Sequence, residues 1–133
     1  MTDPEAIRKR VLAQLAEQRS LVETLLSLKE QLQGSVFARY QECRKQGCAC
    51  SRGEKHGPYY VFSKRSGGKG SYAYLGEEDV PTVRDLVARS REFRAGMKRL
   101  QKVNAGLVAL LREYQSATAQ KGVRRLGLPL QTS

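Results

Sequence analysis

Ten positions in the second half of the chain recur at steps of three and four without a break: Val83, Leu86, Ser90, Phe93, Met97, Leu100, Asn104, Leu107, Leu111 and Tyr114. Such spacing marks one face of an α-helix. At about 1.5 Å per residue this helix is more than about 45 Å long. It must lay its stripe against a surface of similar length, and the first part of the chain offers one. Val11, Leu15, Gln18, Val22, Leu25, Lys29 and Leu32 follow the same rhythm, and Leu12, Leu21, Leu26 and Leu28 widen the apolar face. Gly96 and Gly106 each cost the second helix about 1 kcal/mol against alanine, a loss that packing along the stripe has to offset. The two helices are expected to form an antiparallel hairpin with enough apolar surface left over to dimerise. Pairing within one chain and a dimeric four-helix bundle both satisfy the pattern. Asn104, a polar member of the stripe, suits a role in fixing register.

The boundaries follow from local chemistry. Asp3 is a suitable N-cap and Pro4 a suitable first helical residue, where a missing N–H does no harm. Gly34-Ser35 reads as the stop, giving a helix over 3–33. The second helix is placed over 81–119, entered through Asp79-Val80-Pro81, with 120–133 as a flexible basic tail.

Between them, 35–76 changes character. "VFARYQEC", "PYYVFSKR" and "SYAYLG" are rich in Tyr, Val and Phe and read as strands, although the first could also be a helical turn. "SGGKG" joins the last two, its glycines supplying the positive φ of a hairpin turn. The expected fold class is α+β: one domain over 1–133, in which two long coiled-coil-like helices flank a small three-stranded antiparallel sheet stapled by zinc.

The staple is read from the connection between the first two strands. It holds all three cysteines, Cys43, Cys48 and Cys50, and the only histidine, His56, follows at its end. Three thiolates and an imidazole are a standard closed set for structural zinc. Arg44, Lys45 and Arg52 nearby favour thiolate over thiol. A sheet of about forty residues also needs such help, because it cannot bury enough surface alone. Reduced surface thiols and a redox-active thiol are the alternatives. Four protein ligands leave no open position for a water, so a zinc hydrolase is not expected. Three cysteines cannot all pair within the chain, which argues against a secreted disulfide framework and for a reducing cytoplasm.

The charge narrows the partner. Lys and Arg number 24 against 13 Asp and Glu, a net charge of +11, and such a field attracts polyanions. Arg39, Arg44, Lys45, Arg52, Lys55, Lys64, Arg65 and Lys69 all fall in the middle segment, interleaved with Tyr59, Tyr60, Phe62, Tyr72 and Tyr74. Lys64, Arg65 and Lys69 bracket the hairpin tip, and with Arg52 they are the expected phosphate contacts. Tyr72 and Tyr74 are candidate stacking residues. The second helix adds Arg84, Arg89, Arg91, Arg94, Lys98, Arg99 and Lys102 as a cationic flank. The bland alternatives are a solvated basic face and tyrosines that form the core of a small sheet.

The stretch "GSVFARYQECRKQGCACSRGEKHGPYYVFSKRSGGKGSYAYLG" resembles an uncharacterised family of small bacterial proteins that share a Gly-Ser opening, a C…C-x-C cluster, an H-G-P-Y-Y step and a hairpin. A helix like "VRDLVARSREFRAGMKRL" follows. The resemblance spans Gly34 to about Leu100, and it implies a mobile-element or transposase context rather than a defined activity. The hairpin ending in "YLG" is also similar to small DNA-binding sheets at the N-termini of some phage and transposon integrases.

The expected function is a non-enzymatic, zinc-stabilised nucleic-acid-binding protein, with DNA favoured over RNA, accessory to a mobile element or phage. A homodimer, a transposase or recombinase partner and a nucleoid-associated place in the cytoplasm follow from that reading. The alternative is a coiled-coil protein-interaction adaptor without nucleic-acid binding. An enzyme is not expected: "SGGKG" is no phosphate loop, and there is no second histidine for acid–base work. No secretory leader is expected from "MTDPEAIRKRVLAQ", and no apolar run reaches the roughly 20 residues of a membrane span.

Overall fold

The structure is a computed structural model, and it describes residues 3–41, 47, 53 and 56–132. The elements run α1 (Pro4–Ser27), β1 (Ser35–Gln41), β2 (His56–Ser66), β3 (Lys69–Leu75), a 3-10 turn (Glu77–Asp79) and α2 (Val80–Leu126). The fold is α+β, two helices with a three-stranded antiparallel sheet. None of the described helices is long and apolar enough to cross a membrane. The chain divides into two compact units: 1–27 with 95–133, and 28–94.

In the helical unit, Asp3 caps α1 as its sequence position suggests. Its carbonyl accepts from the Ala6 and Ile7 amides, and its Oδ1 accepts from the Glu5 amide at 3.2 Å. Gln18 Nε2 donates to Asn104 Oδ1 at 2.8 Å, and Arg10 lies 3.6 Å from Glu113. As the residue number falls on one helix it rises on the other, so α1 and the later part of α2 run antiparallel within one chain. Gln18 and Asn104, one polar member from each sequence stripe, are therefore partners in the register. The buried line is rotated from the one the sequence suggests. It includes Ile7 and Leu25 on α1 and Val103, Leu110 and Ala117 on α2, while Leu15 and Val22 are exposed.

Gly96 has a packing reason. A Cβ there would stand 2.5 Å from Leu25 Cδ2, so the missing side chain is what lets the buried Leu25 approach the helix. At Gly106 a Cβ would meet only the Gln14 amide, at 3.8 Å or more. Alanine gains about 1 kcal/mol of helix propensity at either site, but at Gly96 overpacking of about 1–3 kcal/mol opposes it. Gly106→Ala is expected to raise Tm and Gly96→Ala to lower it. The two variants should differ by about 2 kcal/mol in thermal or urea unfolding.

Both helices end elsewhere than the sequence suggests. α1 stops at Ser27 rather than 33. The Ser27 and Thr24 hydroxyls donate to the Thr24 and Ser20 carbonyls, and Lys29 takes φ 56°, the left-handed turn that glycine more often supplies. α2 continues past 119 to Leu126. Gly127 at φ 58° terminates it, with Leu128 N–H bonded to the Val123 carbonyl and Gly127 N–H to that of Arg124. This is a glycine-closed helix end, so much of the expected flexible tail is helix.

In the other unit, β2 is the central strand. Ser66 pairs with Lys69 across Gly67 and Gly68, at φ 58° and 81°, the two-residue turn that the glycines require. β1 pairs from Ser35↔Ser63 to Arg39↔Tyr59 and then shifts to Gln41↔His56, so Gly57 and Pro58 together oppose Tyr40. Leu32 N–H donates to the Leu86 carbonyl at 3.0 Å, and Arg89 Nη1 reaches the Leu28 and Glu30 carbonyls at 3.4 and 3.5 Å. The segment after α1 is thereby tied to the start of α2.

Candidate nucleic-acid interface

Register assigns each strand residue to a face, because directly paired residues project to the same side. One face carries Tyr60, Phe62, Val36 and Leu75, all half-buried. The Arg84 guanidinium sits 5.8 Å from the centre of the Tyr60 ring, within cation–π range, so this side meets the first turns of α2. A Cβ on Gly34 would collide with the Ser63 carbonyl oxygen and the Phe62 ring.

The opposite face carries four exposed aromatic side chains. Val61, 1% exposed, is its buried centre, and its register partners are Phe37 on β1 and Tyr74 on β3. Phe37, Tyr59, Tyr72 and Tyr74 surround it and keep 43%, 44%, 70% and 59% of their surface in water. Arg39 and Arg65 are exposed on the same face by their pairings with Tyr59 and Gly70. The Tyr74 hydroxyl accepts from Arg39 Nη1 at 3.5 Å and from Gln41 Nε2 at 3.4 Å, linking the two edge strands across β2. Beside this face, Gly57, Pro58, Tyr59, Tyr60, Tyr74, Leu75 and Glu77 line a cleft of about 360 Å³.

The predicted contacts sort onto this geometry unevenly. Tyr72, Tyr74, Arg39 and Arg65 share the aromatic face. Lys64 and Lys69 bracket the hairpin tip as expected, but their pairings with Ser71 and Ser66 assign them to the other face. Arg91 and Arg94 are exposed on α2 within 28–94, and Lys98 belongs to the helical unit. Arg89 leaves the expected cationic flank: it pairs with Asp85 at 2.9 Å and holds the 28–30 carbonyls. Phe37 was not foreseen as a face residue; period two in "VFAR" hints at it, but only pairing with Val61 puts it beside the tyrosines. His56 begins β2, half-buried opposite Gln41. Cys43, Cys48, Cys50, Arg44, Lys45, Arg52 and Lys55 lie outside the described residues, and no cluster of metal-ligating side chains occurs among the described ones.

Residues 4–85, more than half of the chain, match a family described as a domain of unknown function, DUF6788. No curated protein and no solved structure matches the chain.

Proposed function

The chain belongs to the DUF6788 family of domains of unknown function, and from its own residues we propose that it is a zinc-stabilised nucleic-acid-binding protein that uses the aromatic face of its sheet. The observation that carries this reading is the exposed aromatic quartet with Arg39 and Arg65 beside it. Four rings left in water on one small face, inside a chain of net charge +11, match a surface that stacks bases and neutralises phosphates. DNA in a mobile element or phage, with a transposase or recombinase as companion, is the setting we favour, on the resemblance described above. The role is accessory and non-enzymatic.

Zinc enters through the donor set. β1 ends at Gln41 and β2 begins at His56, and these two are register partners. The connection carrying the three cysteines therefore leaves and re-enters the sheet at adjacent points. Cys43, Cys48, Cys50 and His56 are the donors we assign to one ion. Among the described residues of 28–94 the buried apolar side chains are Val61, Val80 and Val87, a small core for such a unit. Zinc would supply the missing stability and take no part in chemistry.

Nucleic-acid binding is tested by fluorescence-anisotropy titration of the full, zinc-loaded chain. Affinity is expected to fall by about tenfold or more between about 50 and about 200 mM salt. Arg39→Glu/Arg65→Glu is expected to weaken it further and flatten that dependence. Binding that ignores salt, or that survives the double charge reversal unchanged, would overturn the reading.

A second reading, a protein-interaction adaptor, is favoured by one observation. Leu12, Leu15, Val22 and Leu26 on α1 are 50%, 41%, 37% and 73% exposed, and Val108 and Leu111 on α2 are each 48% exposed. Their helical spacing suits a second helical pair, as in a homodimer. An oligomer that binds no nucleic acid would favour this reading.

A further inference from the structure

Resting on the nucleic-acid reading, we infer that the aromatic sheet face takes unpaired nucleotides, a single strand or a melted segment, rather than intact duplex. Duplex bases keep their faces inside the stack, and a protein reaches only their edges and the phosphates. This face offers ring surface instead: Phe37, Tyr59, Tyr72 and Tyr74 are all at least 43% exposed. Ring faces of that kind gain most from bases that have left their own stack.

The spacing points the same way. Tyr72 and Tyr74 are two residues apart on β3, about 7 Å along the strand. Successive bases of a duplex rise about 3.4 Å. A strand that stacks on both rings must be drawn out to roughly twice the duplex rise, which unpaired chains allow and a duplex resists.

Charge complements the rings without suiting them to duplex. Arg39 and Arg65 stand at opposite ends of the face by register, opposite Tyr59 and Gly70. Two cations flanking an aromatic patch suit a backbone that crosses the sheet once, whereas a duplex binder presents rows of cations to two backbones. One ring is also tethered before any ligand arrives: the Tyr74 hydroxyl accepts from Arg39 and Gln41, so less ordering of that ring remains to be done on binding. The cleft lined by Pro58, Tyr59 and Tyr74 adjoins the face.

The test uses the full, zinc-loaded chain against a labelled single strand of mixed sequence, the same sequence as RNA, and its duplex. The single strands should bind at least about tenfold more tightly than the duplex. The chain has no tryptophan, so tyrosine emission reports directly and should be quenched by the single strands. Tyr72→Ala/Tyr74→Ala should cost about tenfold or more in single-strand affinity, a larger loss than on the duplex, while Tyr72→Phe/Tyr74→Phe should retain most single-strand binding. Circular dichroism confirms that each variant is folded. Duplex bound as tightly as single strand, with the alanine pair indifferent, would overturn this inference and leave the nucleic-acid reading standing. Failure of the folded chain to bind any of the three polymers would overturn both.

Discussion

Stripping zinc from the protein is expected to collapse the sheet unit, the largest effect the proposal implies. Structural zinc in small units contributes on the order of 10 kcal/mol or more, and the described part of 28–94 buries few apolar side chains without it: Val61, Val80 and Val87. A strong chelator, or Cys43→Ser or His56→Ala, should disperse the tyrosine near-ultraviolet signal of the sheet and abolish nucleic-acid binding. Metal analysis of the untreated protein should return about one zinc per chain. Zinc-free protein that keeps its sheet, its melting temperature and its binding would exclude the staple.

Gly34→Ala is the second change with a large expected effect. Gly34 precedes β1, and its Cα faces β2 so closely that a methyl group would collide with the Ser63 carbonyl oxygen and the Phe62 ring. Backbone in a central strand cannot swing aside as a side-chain tip can. Ser63 pairs with Ser35 on one side and Tyr72 on the other. The substitution is expected to cost about 2–3 kcal/mol, lowering Tm by roughly 10 °C and loosening the β1–β2 ladder in hydrogen exchange. An unchanged Tm would mean that β1 does not enter the sheet as described. The contrast with Gly106, where a methyl group has room, separates glycines that hold two elements close from glycines that merely weaken a helix.

The parts of the fold that are local in the sequence were legible there. Asp3-Pro4 announces the start of α1 because capping needs only neighbouring residues. Gly67-Gly68 announces the hairpin because two successive positive φ angles call for glycine. The period-two runs with Tyr and Val announce the strands. The ends of the helices were less legible. Lys29 adopts the left-handed conformation without being glycine, so the stripe through Leu25, Lys29 and Leu32 looked continuous where the chain in fact turns away. At the far end the expected boundary is 119, while Gly127 carries the closing hydrogen bonds.

The candidate site was half legible for a related reason. Composition flags tyrosines and cations, but only register decides which of them share a face. Adjacent Arg65 and Lys64 separate by alternation, and Phe37 joins Tyr74 only through their common partner Val61. Arg89 looked like a surface cation because, beyond its i,i+4 partner Asp85, it holds the carbonyls of Leu28 and Glu30, main-chain groups that no side-chain pattern reveals. The pairing of Gln18 with Asn104 shows the reverse case. Both polar breaks were visible in their stripes, and the antiparallel register joins them.

The most direct measurement is ultraviolet cross-linking of the full chain to a single-stranded oligonucleotide, with the linked residues identified by mass spectrometry. Cross-links concentrated at Phe37, Tyr59, Tyr72 and Tyr74 are the result expected of a sheet face that binds nucleic acid. Cross-links confined to the helical residues 95–126, with the four aromatics unmodified, would contradict it.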